Sequence, residues 1–410
     1  MRSGGFAGIA TAAVLLSAAP SAMAETFCVE RPGCDGTDQL TLQDAITAAG
    51  STPGILDTIE LGRSSFEEGP YTAADDNPVR IVGSGRTRTT LMRSTGAASQ
   101  TVLTLDDSDS SVAGLAIDIG DGNTSKGLFT KGLAKGILVE STSASTGQVG
   151  VLLNGGSLKR STVELANSAD NLGIGMGGGA SVSEVSVTAP HGIQGSGEVD
   201  RARVTAVEVG IASTPPSLTI DQATVEVTGT GSTALLAGTL IGLSGETMTA
   251  RHVTLIGDPT DGATGAAIDA APSFNNASSV EFVLRNSIIN GFATDLLRNG
   301  DDTNGCPPLC PTAANFDVAW TVYDPAKVSE SGGGSFTFGK GNLNKDPKFA
   351  KPGQGNYHLK ASSKLIDKGQ KSKPAAGESK VDLDGLKRVV DGDGDGKARR
   401  DIGAFERQKP

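Results

Sequence analysis

The chain has 410 residues and a formal net charge of -11, with 56 Gly, 20% charged and 4% aromatic residues. An acidic balance gives no electrostatic footprint for nucleic acid, and 37% hydrophobic residues in this mixture exclude both a membrane bundle and a charge-driven disordered chain. What remains is a folded, glycine-rich protein too long for a disulfide-stapled mini-protein.

Residues 1–24 read as a secretory signal peptide: Arg2, an apolar run from Phe6 to Ala19, then small residues up to Ala24. The run is broken by Ser17 and followed by Pro20, so it falls short of the roughly 20 apolar residues of a membrane span, and no transmembrane segment is expected. A secreted, extracellular or cell-surface protein follows. Residues 25–78 are expected to form an N-terminal cap and the first strands. Within them Thr41 can cap a short helix to Ala49 whose Leu42, Ala45, Ile46 and Ala49 share one face. The four cysteines form two close pairs, Cys28 with Cys34 and Cys306 with Cys310. Three pairings are possible, and export favours disulfides in the two local ones over zinc, since no His lies near either pair.

From 79 to 290 short alternating apolar runs are separated by Gly, Ser, Asn and Asp. A six-residue pattern recurs in which positions one and six are apolar, position four is small or apolar, and two and three vary. Its copies are Val112/Leu115/Ile117, Leu133/Gly136/Leu138, Leu158/Ser161/Val163, Val182/Val185/Val187, Val199/Ala202/Val204, Ile220/Ala223/Val225, Ala250/Val253/Leu255 and Leu284/Ser287/Ile289. Their mean spacing of about 25 residues suits one turn of a β-solenoid. A Gly-apolar pair follows most copies, at Gly150-Val151, Gly173-Ile174, Gly192-Ile193 and Gly210-Ile211, with Ala267-Ile268 later. The expected fold is therefore all-β, a parallel β-helix closed by the short helical cap at one end. At the other end residues 291–410, with Trp320, Tyr323 and Tyr357, show no coil pattern and read as an irregular cap.

Near the C-terminus Asp391, Asp393 and Asp395 alternate with Gly392, Gly394 and Gly396, which is how an oxygen-rich calcium loop begins. Position twelve, where a bidentate Glu closes such a loop, is Ile402, with Asp401 one residue early. Calcium would need Asp401, Asp382, Asp384 or water; a flexible acidic turn is the other reading. Asp106, Asp107, Asp109, Asp118 and Asp121 form the densest acidic group of the body, read as an acidic turn or an outer metal site.

Several stretches carry a resemblance: LRNSIING at 284–291, GNLNKDPKFA at 341–350, GNYHLKASSKLIDKG at 355–369, VDLDG at 381–385 and DIGAFE at 401–406. With LTLQDAITAAG and DTIELG near the start, the chain resembles secreted bacterial right-handed parallel β-helix proteins of the pectin-lyase-like superfamily, and its C-terminal region resembles the choice-of-anchor Q group. The resemblance implies a right-handed β-helix and an extracellular life, with no single activity.

Relatives by fold cleave or bind polysaccharides, but Asn-Thr-Asp, Gly-His-Gly and Arg-Ile-Lys signatures are lacking here. The variable positions point outward and, read down the stack, offer Lys159-Arg160, Ser183-Glu184, Asp200-Arg201, Asp221-Gln222, Arg251-His252 and Arg285-Asn286. Their alternating signs suggest a salt-bridge ladder. The expected function is a non-enzymatic surface scaffold for adhesion or weak glycan contact, its partner an extracellular polysaccharide or surface component. The alternative is a polysaccharide lyase or glycoside hydrolase, with Glu184 and Asp221 two coils apart as a carboxylate pair and Arg201 and His252 beside them.

Overall fold

The alternating runs resolve into three parallel ladders wound as a right-handed β-helix. The computed structural model describes residues 23–93, 99–238, 245–270, 273–274, 277–301, 309–371 and 377–408. Of residues 1–24, read above as a signal peptide, 1–22 lie outside the described residues. Among them no helix is long and apolar enough to cross a membrane.

One coil shows the plan. Val149–Asn154 lies on face one, Ser157–Lys159 on face two and Thr162–Leu165 on face three. Each pairs in register with the coils on either side: Val151 with Leu128 and Ile174, Leu158 with Ala134 and Val182, Val163 with Val139 and Val187. A single coil buries almost nothing, whereas stacking about 4.8 Å apart turns the inward residues into continuous columns. Positions one, four and six of the repeat fill that interior; Val187, Val204 and Val225 are 1%, 2% and 0% exposed.

Faces two and three meet at position three, and there the backbone turns through the left-handed region. Arg160, Glu184, Arg201, Gln222, His252 and Asn286 all have φ between 51° and 62°. Such a conformation costs a non-Gly residue about 1–2 kcal/mol, offset here by the burial of positions one and four on either side. A second constraint comes from the Gly-apolar pairs. A Cβ on Gly192 would stand 2.4 Å from both the Gly210 carbonyl oxygen and Val204 Cγ1, so face one can approach position six only where the side chain is missing.

Two expectations of register are corrected. In the second copy the inward residues are Ala134, Ile137 and Val139, one later than Leu133, Gly136 and Leu138; Leu133 is 37% exposed. The late counterpart of the Gly-apolar pairs is Gly265-Ala266, two residues before Ala267-Ile268.

At the N-terminal end the cap is as expected: the helix α1 (Leu42–Ala49) is capped by Thr41, whose hydroxyl accepts from the Asp44 N–H at 3.0 Å, and it buries Leu42, Ala45, Ile46 and Ala49. Cys28 and Cys34 are disulfide-bonded, with Cα atoms 6.0 Å apart. Cys310 is also disulfide-bonded; Cys306 lies outside the described residues.

The region after 290 departs from an irregular end cap. Coils continue through Thr294–Asn299, Thr312–Ala319, Val328–Ser331 and Gly334–Phe338, all parallel to the strands before them. Val318 to Tyr323 is a ninth copy, with Trp320 at the left-handed position. Beyond it the chain turns back, and a flap of residues 345–371 and 377–408 lies along the outside of face three. Phe349, Tyr357, Leu359, Leu365, Ile366, Leu383, Ile402, Ala404 and Phe405 pack there against Ile256, Ile288, Val322 and Leu343.

Candidate functional site

Docking of the flap divides the outward column in two. Its earlier half stays open as a cleft of about 350 Å³ between face three and the flap, lined by Arg160, Thr162, Glu184, Ser186, Arg201, Arg203, Leu383 and Asp384. Left-handed turns at Arg160, Glu184 and Arg201 hold their side chains at successive corners of the stack. Arg160 Nε donates to Glu184 Oε2 at 3.1 Å, Arg201 donates through Nη2 to Glu184 Oε1 at 2.9 Å, and through Nε to Asp200 Oδ2 at 3.1 Å. This is the expected salt-bridge ladder, made on three neighbouring coils.

The two carboxyls on Arg201 are pushed in opposite directions. Partial burial would raise Glu184, but the hydrogen bond from Arg160 and the charges of both arginines together hold it below the usual carboxylate range. Burial dominates at Asp200 and raises it in spite of Arg201, and its Oδ1 is buried without a hydrogen-bond partner. The two carboxyls on one guanidinium thus sit in opposed settings, ionisation favoured at Glu184 by its arginines and disfavoured at Asp200 by burial. At the flap side, Arg203 donates to Asp384 Oδ1 at 2.7 Å and His358 Nε2 donates to Asp384 Oδ2 at 2.6 Å. Neither His358 nor Asp200 was singled out by sequence as a site residue. Asp200 carried a signal in its place in the ladder; His358 carried none.

The later half of the column is covered, so the carboxylate pair expected from sequence does not form. Asp221 is 5% exposed and accepts the Ser379 N–H of the flap at 2.7 Å, with burial pushing its carboxyl up to about 6. His252 is fully buried and contacts Glu378 Oε1 at 3.0 Å. Burial and the Arg388 charge take it down to about 3, so it is a neutral packing residue with no route to a sugar. Only Glu184 and Arg201 of the four expected residues reach the cleft. The reason is steric: the same polar residues that look solvated in sequence supply partners for a docked segment.

Beneath the flap lies a buried charge cluster. Arg388 donates to the carbonyls of Gly403 and Ala404 at 2.9 and 2.7 Å and to Gln222 Oε1, with Glu406 Oε2 3.8 Å away. Burial and the neighbouring Asp401 push Glu406 up to about 9. Because the unfolded chain ionises this group near 4.5, its contribution is fully present below that pH and is lost as pH rises toward 9. His252 has the opposite sign and loses its contribution only as pH falls from about 6.5 toward 3. Stability is therefore expected to decline between about pH 6.5 and 9, and Glu406→Gln to flatten that decline. Urea denaturation across this range checks it; a flat wild-type profile contradicts it.

Other expected groupings come apart. Asp106 pairs with Lys131 at 3.1 Å and Asp107 accepts the Asp109 N–H, whereas Asp118 accepts the Gly120 N–H on face three. Tyr323 stacks on Phe338 and Tyr357 packs edge-on to Phe349, as packed residues of the C-terminal region. Asp391 and Asp393 do approach each other, but their third partner is Asp367. Asp395 is outside that group, and Asp401 is buried, accepting the N–H groups of Asp367 and Arg407.

No protein-family model matches the chain, and no curated protein matches it. Among solved structures, a pectate lyase is similar over 94% of this chain and 97% of that one, at 12% identity and a TM-score of 0.45. The catalytic unit of an α-1,3-glucanase from Streptomyces thermodiastaticus covers 80% of this chain and 71% of its own, at 12% identity and a TM-score of 0.45. A pectin methylesterase from carrot covers 78% and 89%, at 11% identity and a TM-score of 0.36.

Proposed function

We propose that the chain is a secreted, carbohydrate-active β-helix protein that takes an extracellular polysaccharide in the Arg160–Arg203 cleft and cleaves it. The observation that carries the reading is Glu184 in a solvent-open cleft, joined through Arg201 to Asp200 behind it, the two carboxyls shifted in opposite directions. In hydrolysis, the acid form of Asp200, which burial favours, gives its proton to the glycosidic oxygen as the bond to the anomeric carbon breaks. Ionised Glu184 takes a proton from the attacking water. Guanidinium forks and the Thr162 and Ser186 hydroxyls suit the hydroxyl and carboxylate groups of a sugar chain. The disulfide Cys28–Cys34 and the apolar N-terminal run support export, and the docked DIGAFE segment supports a choice-of-anchor Q-like flap.

Neutral and acidic polysaccharides incubated with the mature protein test this through reducing ends and unsaturated products. New reducing ends without unsaturation are expected, lost at least a hundredfold in Glu184→Gln and Asp200→Asn, while Arg203→Ala weakens polysaccharide retention several-fold. Unsaturated products assign a lyase instead. Retention without any cleavage returns the protein to a scaffold for adhesion, and cleavage undiminished in both variants overturns the assignment of the pair.

A further inference from the structure

We propose that Asp367, Asp391 and Asp393 form a calcium site that locks the acidic loop onto the flap. One carboxylate oxygen from each lies within 4.8 Å of the others. Two oxygens across a calcium shell stand about 4.6 to 5.2 Å apart, so a single ion reaches all three. The donors are all hard oxygens, the set that suits calcium rather than zinc or copper.

The independent observation is Asp367. It is 1% exposed, its backbone is left-handed at φ 58°, and its N–H donates to Asp401 Oδ1 at 2.7 Å, so the residue is held in place from inside the flap. Its Oδ2 accepts the Asp393 N–H at 2.8 Å, while its Oδ1 is buried with no hydrogen-bond partner. A buried carboxylate oxygen without a donor is costly to maintain, and this one belongs to a side chain aimed at the two loop carboxylates. The loop supplies the rest of the frame: Asp391 accepts the Gly394 and Gly396 N–H groups at 2.8 and 3.0 Å, which curls the chain around the site. Lys368 Nζ lies 3.8 Å from Asp393 Oδ2 on a half-exposed side chain, a monovalent partner that a divalent ion displaces. Asp367 thus takes the closing role that Ile402 denies to the loop itself.

Calorimetric titration of the chelator-stripped mature protein with calcium chloride alone tests the site, with melting temperature read in calcium and in EDTA. One ion per chain is expected, with a higher melting temperature in calcium. Asp393→Asn, at an exposed position, and Asp367→Asn should each weaken binding at least tenfold, while Asp395→Asn changes it less than threefold. Magnesium should bind at least tenfold more weakly. The proposal is overturned by a wild-type titration without heat, by equal magnesium binding, or by undiminished binding in Asp367→Asn. If Asp367→Asn does not fold, as judged by circular dichroism, Asp393→Asn against Asp395→Asn decides: equal binding in both overturns it. The polysaccharide assays use none of these residues, so the two readings fail separately.

Discussion

Replacing Val204 by Asp is expected to unfold the coil that this residue closes. Val204 is 2% exposed, and its Cγ1 lies only 2.4 Å from where a Cβ on Gly192 would stand, against the backbone of face one. Loss of the Val side chain alone removes about 1.5–3 kcal/mol of burial, and a carboxylate placed there has no donor. The total should exceed about 4 kcal/mol, among the larger costs a point mutation produces. Urea denaturation followed by far-ultraviolet circular dichroism measures it. A loss under about 1 kcal/mol would show that position six does not face the interior.

Arg388→Leu should release the flap while leaving the coils wound. Arg388 is 1% exposed and stands beside Glu406 and among Asp382, Asp401 and Asp221, whose charges it compensates. Its guanidinium fork also ties the Gly403 and Ala404 carbonyls to Gln222 on the body. Removing one partner of such a buried set costs about 3–5 kcal/mol because the remaining charges stay uncompensated. Lys in its place keeps the charge but cannot serve three acceptors in one plane, so Arg388→Lys should rescue little. Limited proteolysis is the readout: rapid cutting within residues 345–408 with a protease-resistant body is expected, and wild-type resistance in Arg388→Leu would contradict the account.

How much of this could be seen in the sequence depends on which force placed each residue. The interior columns were legible because burial dictates them: Val182, Val185 and Val187 repeat as Val199, Ala202 and Val204, and no other arrangement hides all six. The slip at Leu133 arose because a chance apolar residue precedes Ala134, and apolarity alone cannot choose between neighbours. Trp320 hid the ninth copy, since a bulky aromatic at a left-handed corner departs from the polar residues seen there earlier. At the site, Glu184 and Arg201 were legible from alternating charge. Asp221 and His252 were misplaced because a docked flap brings together residues more than 120 positions apart, such as His252 with Glu378. One signal did exist: Ile288 and Val322 both occupy position five, which in an uncovered solenoid faces water.

That outward apolar stripe has a consequence for the order in which the molecule is made. Coils form from contacts between neighbouring turns and can wind as the chain emerges. The flap instead meets partners such as Glu226, which receives the Tyr357 hydroxyl at 2.7 Å, and Asp384 closes on Arg203 across 181 positions. Until residues 349–405 have arrived, Ile256, Ile288 and Val322 face solvent as a continuous sticky strip along a finished rod. A chain stalled before this stage is therefore a different solute from the complete one, carrying an exposed apolar strip that only the docked C-terminal segment removes from water.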